Sequence, residues 1–178
     1  MPEINPVGWQ AIALRSIVDT ALRHADAALT HVKQQKAAPG YENQVQLDGV
    51  PYHLSYTSVG NERHLRLNLQ QTFWAWSCPA DPEGKGNHPL NVLCAKILPD
   101  GRMSDLRLQF GAHKDAVHVD IAIDAPLFSR SSADPEWQAY AEKILNTTGV
   151  NFTGVDLPGT DPKNQASRKR PGGQRCRL

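Results

Sequence analysis

No stretch of the chain approaches the ~18 uninterrupted apolar residues of a membrane-spanning helix, so no membrane association is expected. Cysteine is scarce: Cys78, Cys94 and Cys176 form no CxxC pair and leave an odd one over. That pattern argues against a disulfide framework and against a four-cysteine zinc site. The opening residues, MPEINPVGW, lack a basic stretch leading into an apolar core, and a cytoplasmic location is the expectation. Without a secretory leader, the triplets Asn146-Thr147-Thr148 and Asn151-Phe152-Thr153 read as chance matches to a glycosylation acceptor.

Catalytic signatures are missing too. The chain has no G-x-S-x-G elbow, and Cys78 lies beside a proline with no helix N-terminus evident to activate it. Glu83-Gly84-Lys85-Gly86-Asn87 sets glycines around a lysine, but it joins two expected strands, whereas a phosphate loop connects a strand to a helix. It reads as a plain loop. No cofactor motif is present, and none is expected to bind. Nothing in the sequence specifies an oligomeric state.

What is present is the composition of an ordinary soluble domain: 178 residues, 40% hydrophobic and 21% charged. A net charge of +1 conceals an asymmetry. Residues 162–178 carry Lys163, Arg168, Lys169, Arg170, Arg175 and Arg177 and no acid, whereas the remainder holds 13 basic and 18 acidic residues, a net of −5. A mildly acidic body precedes a strongly basic tail.

Asn5-Pro6 reads as a helix cap followed by proline at the first helical position. From Trp9 onward, Leu14, Val18, Ala21, Leu22, Ala25, Ala28, Leu29 and Val32 recur at spacings of three and four, predicting a long amphipathic helix ended by Pro39-Gly40. The period then changes to two. Val45–Leu47 and Val50–Tyr56 flank Asp48-Gly49, a strong short hairpin signal, with Pro51 expected at a strand start or edge. Gly60-Asn61 is a second turn, leading into a strand with Leu65, Leu67 and Leu69 on one face. A Pro/Gly-rich loop spans 79–89, followed by a strand from Leu90 to Leu98 and a tight turn at Pro99-Asp100-Gly101-Arg102. Leu106, Leu108 and Phe110 alternate with polar residues, as do Val117, Val119, Ile121 and Ile123. Asp134-Pro135 opens a second helix with Trp137, Tyr140, Ala141, Ile144 and Leu145 on its apolar face, ended by Gly149. A short apolar stretch from Val150 to Val155 offers a further edge strand. There is no internal repeat.

Strands that follow one another through short turns predict an antiparallel meander, because parallel neighbours need long crossovers. The expected fold is α+β: a sheet of five or six strands with an N-terminal and a C-terminal helix packed on one face. Residues 1–157 read as one globular domain and 158–178 as a disordered basic tail.

The alternation breaks at the tryptophans. If the strand through Leu69 continues unbroken, Trp74 and Trp76 fall with His64, Arg66, Asn68 and Gln70 on the polar face, while Phe73 keeps the core parity. Either a bulge near Gln71-Thr72 resets the phase, or two indoles emerge on the polar face and mark a binding surface. That face should also display His53, Ser55, Asp105, Arg107, Gln109, His118, Asp120 and Asp124. Ordinary strand alternation accounts for such a face without any function.

Within it, His118 and Asp120 share a side of one strand, where an imidazole and a carboxylate could ligate a metal or act as an oriented base. Two ligands do not complete a metal site, and the rest would have to come from His53, His64 or His113. His24 and His31, seven apart on the first helix, read as solvated polar-face residues, and Cys94 as a core residue of an apolar strand.

These features lead to a non-enzymatic binding or adaptor protein that acts through protein contacts. Phe73, Trp74, Trp76, Lys85 and His88 would form its recognition surface around the mobile-looking 79–89 loop. A second reading is nucleic-acid binding, with Arg168, Lys169, Arg170, Arg175 and Arg177 neutralising phosphates and the aromatics stacking on bases. The body's acidity counts against it. A third is a metal-dependent or acid–base enzyme built on His118 and Asp120.

Overall fold

In a computed structural model, residues 6–70, 77–79, 87–111, 116–150 and 152 are described. Helix α1 (Pro6–Gln34) is followed by strands β1 (Tyr41–Leu47), β2 (Val50–Val59), β3 (Glu62–Leu69), β4 (Ser77–Pro79), β5 (Asn87–Ile97), β6 (Met103–Phe110) and β7 (Val117–Ala122). A single helical turn, α2 (Ala125–Phe128), and helix α3 (Pro135–Thr148) complete the described fold. The sheet order β1-β2-β3-β5-β6-β7 is an antiparallel meander of six strands, with the short β4 paired to the start of β5. The α+β architecture matches the expectation from periodicity.

Local chemistry explains the turns. Asp48 (φ 54°) and Gly49 (φ 81°) both take left-handed backbone, the two-residue reversal whose twist suits a hairpin. Helix α3 starts at Asp134, whose carboxylate accepts from the Glu136 amide at 2.8 Å, with Pro135 at the first helical position. It stops at Gly149, left-handed at φ 74°.

One face of the sheet and the helices share the core. Helix α1 contributes Leu14, Ile17 and Val18, then Ala21, Ala25 and Ala28, whose small side chains let the helix axis approach the strands closely. The strands answer with Tyr52, Leu54, Leu65, Leu67, Leu93, Leu106, Leu108, Phe110, Val119 and Ile121. Each such side chain removed from water is worth roughly 1.5–3 kcal/mol, which makes this face the main source of stability. Trp137 of α3 is wholly buried, and its Nε1 donates to the Ala11 carbonyl at 3.0 Å, fixing α3 across α1.

Several local expectations are corrected. Trp9 does not join the apolar stripe of α1; it is 52% exposed. His24 is the reverse, 1% exposed rather than solvated, because it lies three residues from Ala21 and four from Ala28 and shares their arc. Its Nδ1 sits 2.6 Å from the Tyr52 hydroxyl. The segment 79–89, read as a loop, has strand at both ends: Pro79 closes the strand Ser77–Pro79, which pairs with Asn87–Pro89. Asp124 caps α2, accepting from the Leu127 amide at 3.1 Å, and does not extend the polar face of β7. Val150 and Phe152 enter the core outside any strand, with Phe152 edge-on to Phe110 at 5.8 Å.

Arg15 is the least expected core residue. It is 8% exposed, and its guanidinium lies 5.0 Å from the Trp137 ring centre and 5.7 Å from that of Phe128. It donates to the Phe128 carbonyl at 2.5 Å and to Asp19 at 3.0 Å, so one side chain links α1, α2 and α3.

Candidate functional site

Among the described residues no helix covers the second face of the sheet. Strand register places its side chains in transverse rows. One row runs Glu42, Ser55, Arg66, Cys94, Arg107, Asp120 from β1 to β7. The next, two residues along each strand, runs Gln44, His53, Asn68, Val92, Gln109, His118.

The two rows differ in character. Val92 is only 2% exposed although it faces away from the helices and lies outside the main core. Around Cys94 the surface instead forms a depression of about 450 Å³ lined by His64, Cys94, Lys96, Asp105, Arg107 and Asp120. Its charges are mostly paired. Arg107 grips Asp120 through both guanidinium arms at 2.6 and 3.0 Å, and Lys96 lies 3.1 Å from Glu62 and 3.8 Å from Asp105. His53 bridges Glu42 at 2.9 Å and Gln44 at 3.0 Å. Arg66 is exposed and has no carboxylate partner among the described residues.

Cys94 therefore belongs to the polar face and not to the core. The apolar run from Leu90 to Leu98 concealed this, because both parities of β5 carry apolar residues; a register shift between Leu90 and Val92 sets the phase. Burial raises the Cys94 thiol above its ordinary value, and the neighbouring guanidiniums of Arg66 and Arg107 pull it partly back. Its parity with Lys96 was the available signal.

His118 and Asp120 do share this face, as their spacing requires. Asp120 is engaged by Arg107, whose hydrogen bond holds its carboxyl below the usual range, so it stays ionised well into acid and is a weak base. His118 reaches Gln109 at 3.3 Å. Among the described residues no three His, Cys, Asp or Glu side chains come together to hold a metal ion.

His88 is placed by packing. A Cβ on Gly111 would lie 2.5 Å from its Nδ1, so the imidazole rests directly on the glycine's backbone. Phe73, Trp74, Trp76 and Lys85 lie outside the described residues, as do His113 and the tail with Arg168, Lys169, Arg170, Arg175 and Arg177. Among the described helices none is long and apolar enough to cross a membrane. Comparison with protein-family models, curated proteins and solved structures finds no match.

Proposed function

We propose that the chain is a non-enzymatic binding protein that engages another protein through the face of its sheet opposite the described helices. One observation carries the reading: an exposed guanidinium, Arg66, without a carboxylate partner among the described residues, stands beside Cys94 on a sheet face that no described helix covers. The surrounding charges are already paired, by Arg107 with Asp120 and Lys96 with Glu62, so their geometry is set before a partner arrives. An acidic side chain delivered to Arg66 would gain a charge-assisted hydrogen bond at low ordering cost. The segment carrying Phe73, Trp74, Trp76 and Lys85 joins β3 to β5, the strands that hold Arg66 and Cys94, and supplies aromatic anchors of the type enriched at interfaces.

The test is affinity capture from native lysate, with and without nuclease, using wild type, Arg66→Glu and the Trp74→Ala/Trp76→Ala double variant. A protein captured by wild type, resistant to nuclease and lost in both variants at unchanged melting temperature supports the reading. A large fall in melting temperature for the tryptophan variant would identify those rings as core.

The charge asymmetry of the sequence favours one other reading. Six basic residues and no acid in 162–178 suit a phosphate-neutralising arm. It requires nucleic-acid affinity that falls steeply with salt and disappears on truncation at Asp161.

A further inference from the structure

At the opposite end of α1 from its N-terminus, a second depression opens between the helix, the β2–β3 turn and the β5–β6 turn. Its volume is about 410 Å³, within the ~300–1,000 Å³ of small-molecule sites. Leu29, Val32, Tyr56, Ile97 and Leu98 make an apolar floor, and Lys33, Lys36 and Arg63 supply the charge. Among the described residues no lining residue is acidic.

Arg63 is the informative member. It shares parity with Leu65 and Leu67, so it lies on the core side of β3, where a cation is least expected. It is steadied by the Ser58 hydroxyl at 3.0 Å and the Glu62 carbonyl at 3.4 Å, both neutral acceptors. Lys33 and Lys36 have no ion-pair partner among the described residues. Helix termination does not need their side chains alone, since the backbone amides of Gln35, Lys36 and Ala37 already reach the carbonyls of His31, Lys33 and Val32. Three cations thus converge on an apolar hollow whose described lining supplies no counter-charge.

We propose that this hollow binds a free anionic amphiphile, with its apolar body on the Leu29, Val32 and Ile97 floor and its carboxylate or phosphate head held by Arg63, Lys33 and Lys36. The apolar floor excludes a bare inorganic anion as the natural occupant, and the cations exclude a neutral or positively charged hydrocarbon. This site is separate from the sheet face opposite the helices and stands or falls independently of the binding role proposed there.

The test titrates the full chain with decanoate and follows the methyl resonances of Leu29, Val32 and Ile97. Decyltrimethylammonium, acetate and anionic phospholipid vesicles serve as comparison probes. Saturable binding of decanoate with shifts centred on those methyls is expected, with acetate and the cationic amphiphile inert. Arg63→Glu and, separately, Lys33→Glu should each weaken it by about tenfold or more, the scale of a lost charge-assisted contact. Lys33 is exposed on α1, so its variant reads out the head-group interaction even if Arg63→Glu impairs folding. No saturable decanoate binding, equal binding of the cationic amphiphile, shifts centred elsewhere, or binding to vesicles alone would each overturn the proposal.

Discussion

Nδ1 of His24 lies 2.6 Å from the hydroxyl of Tyr52, inside the interface between α1 and the sheet. The two rings meet edge-on, with centroids 5.5 Å apart, and Asp48 stands 3.6 Å from the other imidazole nitrogen. The carboxylate beside Nε2 favours the neutral tautomer with its proton on Nε2, in which Nδ1 accepts from the tyrosine. Protonation would make Nδ1 a donor and force the buried hydroxyl to find another acceptor.

Acid should therefore destabilise the fold through this pair. Burial lowers the His24 pKa below its ordinary 6.5, outweighing the raising effect of Asp48. At pH well above 6.5 the residue is neutral in both states, and its contribution is fully present. As pH falls below that value the unfolded chain takes up the proton first, so stability is lost. Urea unfolding at pH 7.5 and 5.5 should give a lower midpoint in acid, and His24→Leu should flatten much of that dependence. An unchanged slope in the variant would assign the acid sensitivity elsewhere. Tyr52→Phe at pH 7.5 should cost about 1–3 kcal/mol, the penalty for leaving a buried acceptor without its donor.

Gly111 and His88 give a second prediction. Gly111 is left-handed at φ 86°, and its missing Cβ is where the His88 ring rests. Gly111→Ala combines a backbone penalty of about 1–2 kcal/mol with the clash. Adding His88→Ala should recover the clash and leave the backbone cost. A double-mutant cycle on unfolding free energies measures the difference. Strict additivity would show that the two residues do not touch.

The polar cluster at the helix junction separates two effects of different size. Trp137→Ala removes a fully buried indole and its bond to Ala11, and should cost about 3–5 kcal/mol. Arg15→Met loses the contacts to Phe128 and Asp19, but also removes a buried Nη1 that has no hydrogen-bond partner. The two terms oppose, and a net loss of about 1 kcal/mol is expected. At roughly 2–4 °C per kcal/mol for a chain of this size, thermal melts resolve the two variants. An Arg15→Met loss as large as that of Trp137→Ala would make the guanidinium a principal element of the core.

How far the sequence anticipated this structure depends on whether a residue's neighbours lie along the chain or across it. Leu65, Leu67 and Leu69, the Asp48-Gly49 turn and the Asp134-Pro135 helix start are local signals, and each yielded its element at the expected place. His24 was misread because a polar residue at the edge of a helical stripe is buried only if the opposite sheet supplies a partner, here Tyr52. Cys94 was misread because an apolar strand has no visible parity until its register with Arg66 and Arg107 is known. The pairing of Asp120 with Arg107 instead of His118 is likewise a cross-strand fact. The expectations placed on Phe73, Trp74, Trp76 and Lys85 fall outside the described residues.

Cys94 offers the sharpest reading of the sheet face opposite the helices. The thiolate is the reactive form, and burial disfavours it here while Arg66 and Arg107 favour it. Because desolvation is the larger influence, Cys94 should alkylate with a midpoint above that of a free cysteine, about 8.5. The measurement uses Cys78→Ser/Cys176→Ser protein and iodoacetamide rates across pH 7 to 10, with the extent of labelling read by mass spectrometry. Arg66→Gln should move the midpoint higher, since it removes positive charge while keeping most of the side chain over the thiol. Arg107→Gln should do the same and also free Asp120, whose negative charge adds to the upward shift. A wild-type midpoint below that of free cysteine would mean that the guanidiniums prevail over burial. The row Arg66, Cys94, Arg107 would then be an activated thiol, and the non-enzymatic reading of this face would have to yield to nucleophilic chemistry.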